Sequence, residues 1–206
     1  MIDHVKSFFN RYFPGGAPPL LLAMSGGRDS MVLAELLRLS GIAFEAAHLN
    51  YRLRGDESDK DCDHVVAWCR QQQIQLHQYV TTDEERDSLL QAGLQEKARN
   101  LRYTWFRSII SQRNGQYIVT AHHADDQAET MLFHFVRGSG IRGLAGMSEK
   151  QGDILRPLLK VDGSAIHNFA VKHGIIWRDD HSNATTDYSR NYIRHEVMPR
   201  LLEINP

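Results

Sequence analysis

Leu20-Leu-Leu-Ala-Met-Ser-Gly-Gly-Arg-Asp-Ser30 is the stretch that decides the fold. The apolar run from Leu20 to Met24, entered through Pro18-Pro19 and left through Ser25-Gly26-Gly27, predicts a short strand buried on both faces and closed by a glycine turn. From Asp29 to Leu39 the apolar residues Val32, Leu33, Leu36, Leu37 and Leu39 recur at helical spacing, and Gly41 stops them. Outward from this unit the pattern repeats. Ala43 to Leu49, Ile74 to Val80 and Gln116 to Ala121 read as strands. Glu57 to Gln73, Leu89 to Gln112 and Asp125 to Val136 read as helices, the last with Ala128, Met131, Leu132, Phe135 and Val136 on one apolar stripe. This alternation predicts an α/β fold: a Rossmann-like open, mostly parallel sheet with helices on both faces. Ligands bind such sheets beyond the carboxyl ends of the strands, where Ser25 to Ser30 and Ala121 to Asp126 both fall.

The chain divides into a helical lead-in over 1–17, a main α/β domain over 18–160 that carries both polar loops, and a small helical C-terminal extension over 161–206. The extension is expected to contain helices from Ser164 to His173 and from Ser189 to Leu202, after a glycine-rich loop from Gly138 to Gly146. With 206 residues, 42% hydrophobic and 24% charged, the chain is long enough and apolar enough for a real core, which excludes wholesale disorder, collagen and coiled coil. Lys and Arg number 24 against 25 Asp and Glu, so a polycation gripping nucleic acid by bulk charge is excluded, but a local basic face is not. No apolar run is long enough to span a bilayer or form a signal-peptide core, so a cytoplasmic protein without membrane contact is expected. Cys62 and Cys69, seven apart in a helical stretch, form no CxxC pair.

Ser25, Gly26, Gly27, Arg28, Asp29 and Ser30 carry the strongest chemical signal. Glycines let the backbone bring its N–H groups against an anion, the following helix adds a partial positive charge, and the two serines can donate to phosphate oxygens. Asp29 would repel phosphate unless a cation lay between them, which points to Mg2+ with Asp29 as its ligand. The plainer reading is a tight turn with a polar cap. No lysine follows the glycines, so this is not a Walker A loop. In Ala121-His-His-Ala-Asp-Asp-Gln-Ala-Glu-Thr130 a strand end delivers two histidines and a helix opens with two carboxylates. Asp125 and Glu129, at i and i+4, are placed to reach over the strand ends together. Acids in a first turn more often only stabilise the helix dipole, and a two-metal site is a further alternative.

The loop resembles the PP-loop, SGGxDS, of the ATP pyrophosphatases, which implies ATP as cofactor, cleavage between the α and β phosphates, and the adenine nucleotide alpha hydrolase-like version of the fold. Further blocks bring the likeness closer. They are His48-Leu-Asn-Tyr-Arg-Leu-Arg-Gly-Asp-Glu-Ser58, Glu96-Lys-Ala-Arg-Asn-Leu-Arg-Tyr103, His122-His-Ala-Asp-Asp-Gln-Ala-Glu129, Phe135-Val-Arg-Gly-Ser-Gly-Ile-Arg-Gly-Leu144, Arg156-Pro-Leu-Leu159 and Asn191-Tyr-Ile-Arg194. In this order, over about 18–206, they resemble the catalytic domain of the tRNA(Ile)-lysidine synthetase family. That resemblance implies a carbon–nitrogen ligase that adenylates the wobble cytidine of a tRNA(Ile) with a CAU anticodon and replaces the AMP with L-lysine, releasing AMP and pyrophosphate. It implies catalytic roles for Asp29, His122, His123 and Asp126, and substrate contacts for Arg99, Arg102, Asp125, Asp126, Glu129 and Arg194. Arg137, Arg142, Arg190 and Arg194 are candidates for anticodon-loop phosphates.

Tyr51 stands where the family commonly has histidine, and the match stops at Asn205-Pro206, so C-terminal tRNA-binding domains are expected to be absent and tRNA to be held weakly. A homodimer is left open. Rival readings are a PP-loop tRNA thiolase, a small-molecule amidotransferase-type synthetase, and a non-catalytic ATP-binding module. The near-zero charge is segregated: residues 56–87 hold nine acids against three bases, whereas 88–124 hold five bases against one acid. The basic stretch runs into the histidine motif.

Overall fold

The central predicted strand, Leu20 to Met24, is apolar on both sides because a parallel sheet covered on both faces has no solvent side there. The computed structural model, which describes residues 1–91, 94–112, 117–140, 145–178 and 192–204, has that sheet. Its strands are β1 (Leu20–Ala23), β2 (Glu45–Asn50), β3 (Leu76–Val80), β4 (Tyr117–Val119), β5 (Lys150–Gln151) and β6 (Ile154–Leu155), in the spatial order β3-β2-β1-β4-β6-β5. β3, β2, β1, β4 and β6 are parallel, with Leu21 opposite both Glu45 and Ile118, and only β5 runs antiparallel, against β6. The chain moves outward from β1 to β2 and β3 and then returns to place β4 on the other side of β1. The carboxyl ends of β1 and β4 therefore flank the point where strand order reverses, the usual ligand crevice of open α/β sheets.

The helices are α1 (Ile2–Tyr12), α2 (Arg28–Leu39), α3 (Asp56–Gln71), α4 (Asp83–Leu90), α5 (Leu94–Ser111), α6 (Ala124–Val136), α7 (Gly163–Lys172) and, after a π-helical turn at Ile193–Val197, α8 (Met198–Ile204). On one face α1, α2, α3 and α7 bury Phe8, Leu33, Leu37, Val65 and Ile166 against Leu20 and Leu22. On the other, Tyr103 and Phe106 of α5 cover Leu21, Ala47 and Ile118. The lead-in expected over 1–17 is thus a core helix.

Several expectations need correction. The helix predicted over 89–112 is two helices. Thr82 and Glu85 form a capping box that starts α4 at Asp83, so Leu89 belongs to its end, and α5 begins only at Leu94. Ile154–Leu155 was not recognised as a strand, because two residues carry no period. The stripe on α6 is not its buried face. Glu129 and Thr130 are buried, whereas Phe135 and Val136 are 66% and 77% exposed, because α6 turns its acids toward Arg194. Ser189 to Asn191, the Asn114-Gly115 turn, and Arg142 and Arg190 lie outside the described residues. Among the described residues no helix is long and apolar enough to cross a membrane.

Leu22 sits fully buried in the central strand beneath the phosphate loop. Leu22→Ala removes three buried carbons from a site that cannot collapse freely and is expected to cost about 2–5 kcal/mol, read as a lower denaturant midpoint at unchanged slope.

Candidate active site

β1 delivers Met24 to the sheet rim, where its N–H donates to the Ala47 carbonyl, and the chain then turns at Gly26 with φ +88°. That backbone conformation favours glycine, and a Cβ there would meet Val65 Cγ2 at 3.4 Å and the Asp61 carbonyl at 3.5 Å. The expectation that both serines serve phosphate directly is modified by their bonds to the loop itself. Ser25 Oγ lies 3.1 Å from Ser30 Oγ and accepts from the Gly27 N–H, and the Ser30 hydroxyl donates to the Gly27 carbonyl at 2.9 Å. Gly27 is the N-cap of α2 and provides no side-chain cap, so the first-turn N–H groups face outward as an anion cradle.

Asp29 lies in that first turn. Its Oδ1 accepts from Arg28 Nε at 2.7 Å, and its Oδ2 is 3.5 Å from His123 Nε2. Burial would raise the Asp29 pKa, but hydrogen bonds from His123 and Arg28 outweigh it and hold the carboxyl below its ordinary value. Arg28, assigned to ATP from the sequence, therefore has its guanidinium on Asp29. Mg2+ takes one or two carboxylates and draws its other ligands from phosphate oxygens and water. Asp29, ionised and beside the cradle, fits that demand. Among the described residues no group of three or more His, Cys, Asp or Glu could hold a metal by itself.

β4 brings the second motif to the same crevice. His123 caps α6: its Nδ1 accepts from the Asp125 N–H at 3.3 Å, and its own N–H donates to Asp126 Oδ2 at 2.9 Å. The remaining ring proton sits on Nε2, which faces Asp29 at 3.5 Å and Asp126 at 3.6 Å. Burial disfavours the charged ring, but Asp29, Asp126 and Asp125 together raise its pKa. His122 is the opposite case. Its Nδ1 lies 2.8 Å from Thr120 Oγ1, and burial, reinforced by Arg156, Arg102 and Arg99 and opposed by Asp126, lowers its pKa to about 4. The two adjacent histidines are electrostatically distinct, which the sequence left open.

The acids are shared differently from the sequence expectation. Asp125 and Glu129 do not converge. Asp125 accepts from the Gly163 N–H at 3.3 Å, while Asp126 and Glu129 both bind Arg194. Arg194 Nη2 reaches Asp126 Oδ1 at 3.1 Å and Glu129 Oε2 at 3.0 Å, and Nε closes the fork on Glu129 Oε1. Glu129 is buried and its pKa raised by that burial, against the pull of Arg194. Arg194 is thus engaged with two carboxylates inside the site. Arg99 and Arg102 lie over the Tyr103 ring at 4.7 Å and 5.6 Å, and among the described residues neither has a carboxylate partner. Arg137 lies 5.1 Å from the Phe133 ring centroid. Sequence reading missed Thr120, Gly163 and Arg178, whose N–H donates to the Gly26 carbonyl. Gly163 and Arg178 act through contacts distant in sequence, and Thr120 is an ordinary strand residue that carries no motif of its own. Gly163 is the exception in principle, because a Cβ there would meet Asp125 Oδ2 at 2.5 Å.

The family model for the PP-loop domain matches residues 2–201. A tRNA(Ile)-lysidine synthase of Porphyromonas gingivalis is 41% identical over 199 residues, covering 95% of this chain and 43% of the relative. One from Chlorobaculum tepidum is 38% identical over 188 residues, covering 89% of this chain and 57% of the relative. The chain thus spans about half the length of the curated relatives it matches. Among solved structures, the U34-tRNA thiolase of Methanococcus maripaludis superposes with a TM-score of 0.79 at 18% identity, over 100% of this chain and 72% of that one. An NH3-dependent NAD synthetase of Campylobacter jejuni gives 0.60 at 12% identity, over 100% of this chain and 86% of that one. At such identities the likeness shows the shared fold.

Because His122 titrates near 4 in the folded chain and near 6.5 unfolded, the unfolded state binds more protons between these values, and stability falls as pH falls through that window. His122→Asn is expected to flatten this part of the profile. Denaturant midpoints of both proteins across the window check it, and equal slopes would move the pH dependence elsewhere.

Proposed function

This chain belongs to the PP-loop domain family, and from that premise we propose that it is the catalytic part of a tRNA(Ile)-lysidine synthetase, joining L-lysine to the wobble cytidine of a CAU-anticodon tRNA(Ile) at the expense of ATP. The observation that carries the reading is the 3.5 Å approach of His123 Nε2 to Asp29 Oδ2. It joins the ATP loop and the histidine–aspartate motif into one site, so a nucleotide and a second substrate would meet there.

The uncapped start of α2 holds the triphosphate, and Asp29 would hold Mg2+, which supplies charge neutralisation at the phosphates. The C2 carbonyl oxygen of cytosine attacks the α-phosphorus, the bond to the β-phosphate oxygen breaks, and pyrophosphate leaves. The lysine nitrogen then adds to C2, the C2–O bond breaks, AMP leaves and the nitrogen loses its proton. His122, neutral at pH 7 and held by Thr120, suits a hydrogen bond to the cytosine better than proton abstraction, since a base with a pKa of about 4 is weak. His123, with both ring nitrogens engaged, orients Asp29 and Asp126. Asp126 and Glu129 with Arg194 carry a net charge of one minus, matched to a single ammonium group of lysine. Arg99 and Arg102 are available for a phosphate or the lysine carboxylate.

The cysteines weigh against the thiolase alternative, and the basic residues against the small-molecule synthetase. Cys62 and Cys69 both lie on α3, and burial raises the Cys69 thiol to about 11, far from a reactive thiolate. A protein acting on bases must also take the target out of its stack, and basic residues beside the site would grip the flanking backbone.

Incubation with ATP, Mg2+, lysine and unmodified tRNA(Ile), using the chain in its full-length context, should add a lysine-sized mass to the wobble cytidine; an unchanged nucleoside mass would overturn the proposal. Asp29→Ala is expected to abolish lysine-independent pyrophosphate release, and wild-type release by that variant would remove Asp29 from the metal site. The isolated chain should bind tRNA weakly and lose it steeply as salt rises, measured by filter binding.

A further inference from the structure

The phosphate loop is held from below by a segment that no motif marked. After α7, the chain from Ile175 to Arg178 runs across α3 to the loop, with the Ile176 carbonyl 3.1 Å from His64 Nε2. At its end the Arg178 N–H donates to the Gly26 carbonyl at 3.1 Å. The Arg178 side chain turns back onto α3, with Nε on Asp61 Oδ1 at 2.5 Å and Nη2 on Glu57 Oε2 at 2.6 Å. Asp61 takes a second arginine on its other oxygen, Arg54 Nη2 at 2.6 Å. The same Asp61 lines Gly26: its carbonyl is 3.5 Å, and its Cβ 3.9 Å, from where a Gly26 Cβ would stand.

We infer that Arg178 is a positioning residue for the phosphate loop. Its main-chain N–H occupies the Gly26 carbonyl, and its guanidinium, anchored on Asp61 and Glu57, neutralises two acids beside an anion-binding turn. The inference rests on the reading of this loop as the ATP site.

Two physical arguments converge on it. The first concerns direction. A loop that binds phosphate through N–H groups must keep its carbonyls off the anion, and a carbonyl already bonded to a donor is not free to rotate toward it. At Gly26 that donor belongs to Arg178, and the guanidinium clamp on α3 keeps the donor in place. The second concerns charge. Asp61 and Glu57 are held by Arg54 and Arg178, with Lys60 Nζ also 2.6 Å from Glu57 Oε1. The Asp61 side chain is only 12% exposed, so water screens it poorly. Truncating Arg178 removes the cation that bridges Asp61 and Glu57, leaves the poorly screened Asp61 with Arg54 alone among the described residues, and makes the surroundings of the turn that receives the triphosphate more negative by one charge. Both effects fall on nucleotide binding, and neither reaches Asp126, Glu129 or Arg194.

The test is Mg-ATP binding by calorimetry and steady-state kinetics on the full-length protein carrying Arg178→Ala, Arg178→Lys, Glu57→Gln or, as a remote control, Arg38→Ala. Arg178→Ala should weaken Mg-ATP binding and raise the KM for ATP by tenfold or more, with the KM for lysine and the kcat at saturating ATP within about twofold of wild type. Arg178→Lys, which keeps the charge but not the fork, and Glu57→Gln, which keeps the Asp61 anchor, should fall between wild type and Arg178→Ala. Arg38→Ala should bind Mg-ATP like wild type. Wild-type ATP binding by Arg178→Ala would overturn the inference. So would equal losses in both KM values and kcat tracking a lowered melting temperature, the result expected of a purely structural residue. If Arg178→Ala does not fold, wild-type affinity in both Arg178→Lys and Glu57→Gln overturns it. A wild-type protein that binds no ATP would instead overturn the reading of the loop and take the inference with it.

Discussion

The first turn of α2 has N–H groups that no side chain caps among the described residues, and most of the local architecture follows from leaving them that way. An uncapped helix end is costly to bury and useful only against an anion. It requires a strand aimed at it, a turn with a positive φ at Gly26, and serines whose hydroxyls brace the loop from within. It also requires neighbours that do not repel the anion. Asp29 is tied to Arg28 and His123, and Asp61 to Arg54 and Arg178. The sheet order then places this turn beside the end of β4, so the helix that begins with His123 meets it across the reversal point.

The two histidines illustrate how packing decides chemistry for identical neighbours. His123 faces three carboxylates, and its ring is a cap and a bridge between Asp29 and Asp126. His122 is shifted the opposite way, chiefly by burial, with Arg156, Arg102 and Arg99 reinforcing it against Asp126. Arg156 is itself fully buried, donates to the Ser148 carbonyl at 2.8 Å, and finds its own charge disfavoured by burial. A single site therefore holds an acidic half around α6 and a cationic half around α5. A reaction that brings a cationic amine to a polyanionic nucleotide needs both.

Local pattern made the sheet and its crevice legible. Leu20 to Met24, the glycine turn and the spacing from Val32 to Leu39 each obey one period, and the structure reproduces them to within a residue or two. The phosphate loop was legible for the same reason, since its function lies in contiguous backbone. What stayed hidden depends on partners far along the chain. Nothing near Arg194 says that it closes on Glu129, 65 residues earlier, and nothing near Arg178 says that it crosses to Asp61, 117 residues earlier. The α6 stripe misled because apolar periodicity marks a buried face only when nothing stronger competes. Here a buried, arginine-bound carboxylate sets the helix's rotation and leaves Phe135 and Val136 exposed. The capping box at Thr82 was readable but lay inside an acidic run whose apolar signal began only at Leu89.

The arginines divide into two groups, and the division bears on the nucleic-acid question more than the formal charge of -1 does. Arg28, Arg54, Arg178 and Arg194 are each matched to a carboxylate within 3.1 Å, so their charge organises the site and is already paired. Arg99, Arg102 and Arg137 instead rest on aromatic faces, an arrangement that orients a guanidinium without neutralising it. A protein that binds a polyanion through a few local contacts needs arginines of the second kind, since a phosphate must otherwise displace an existing ion pair to gain one. Counting bases against acids cannot separate these groups, because a matched arginine and an aromatic-seated one contribute equally to the sum. Their placement does: Arg99 and Arg102 of α5, without a carboxylate partner among the described residues, lie over Tyr103, on the side of the crevice that also carries His122.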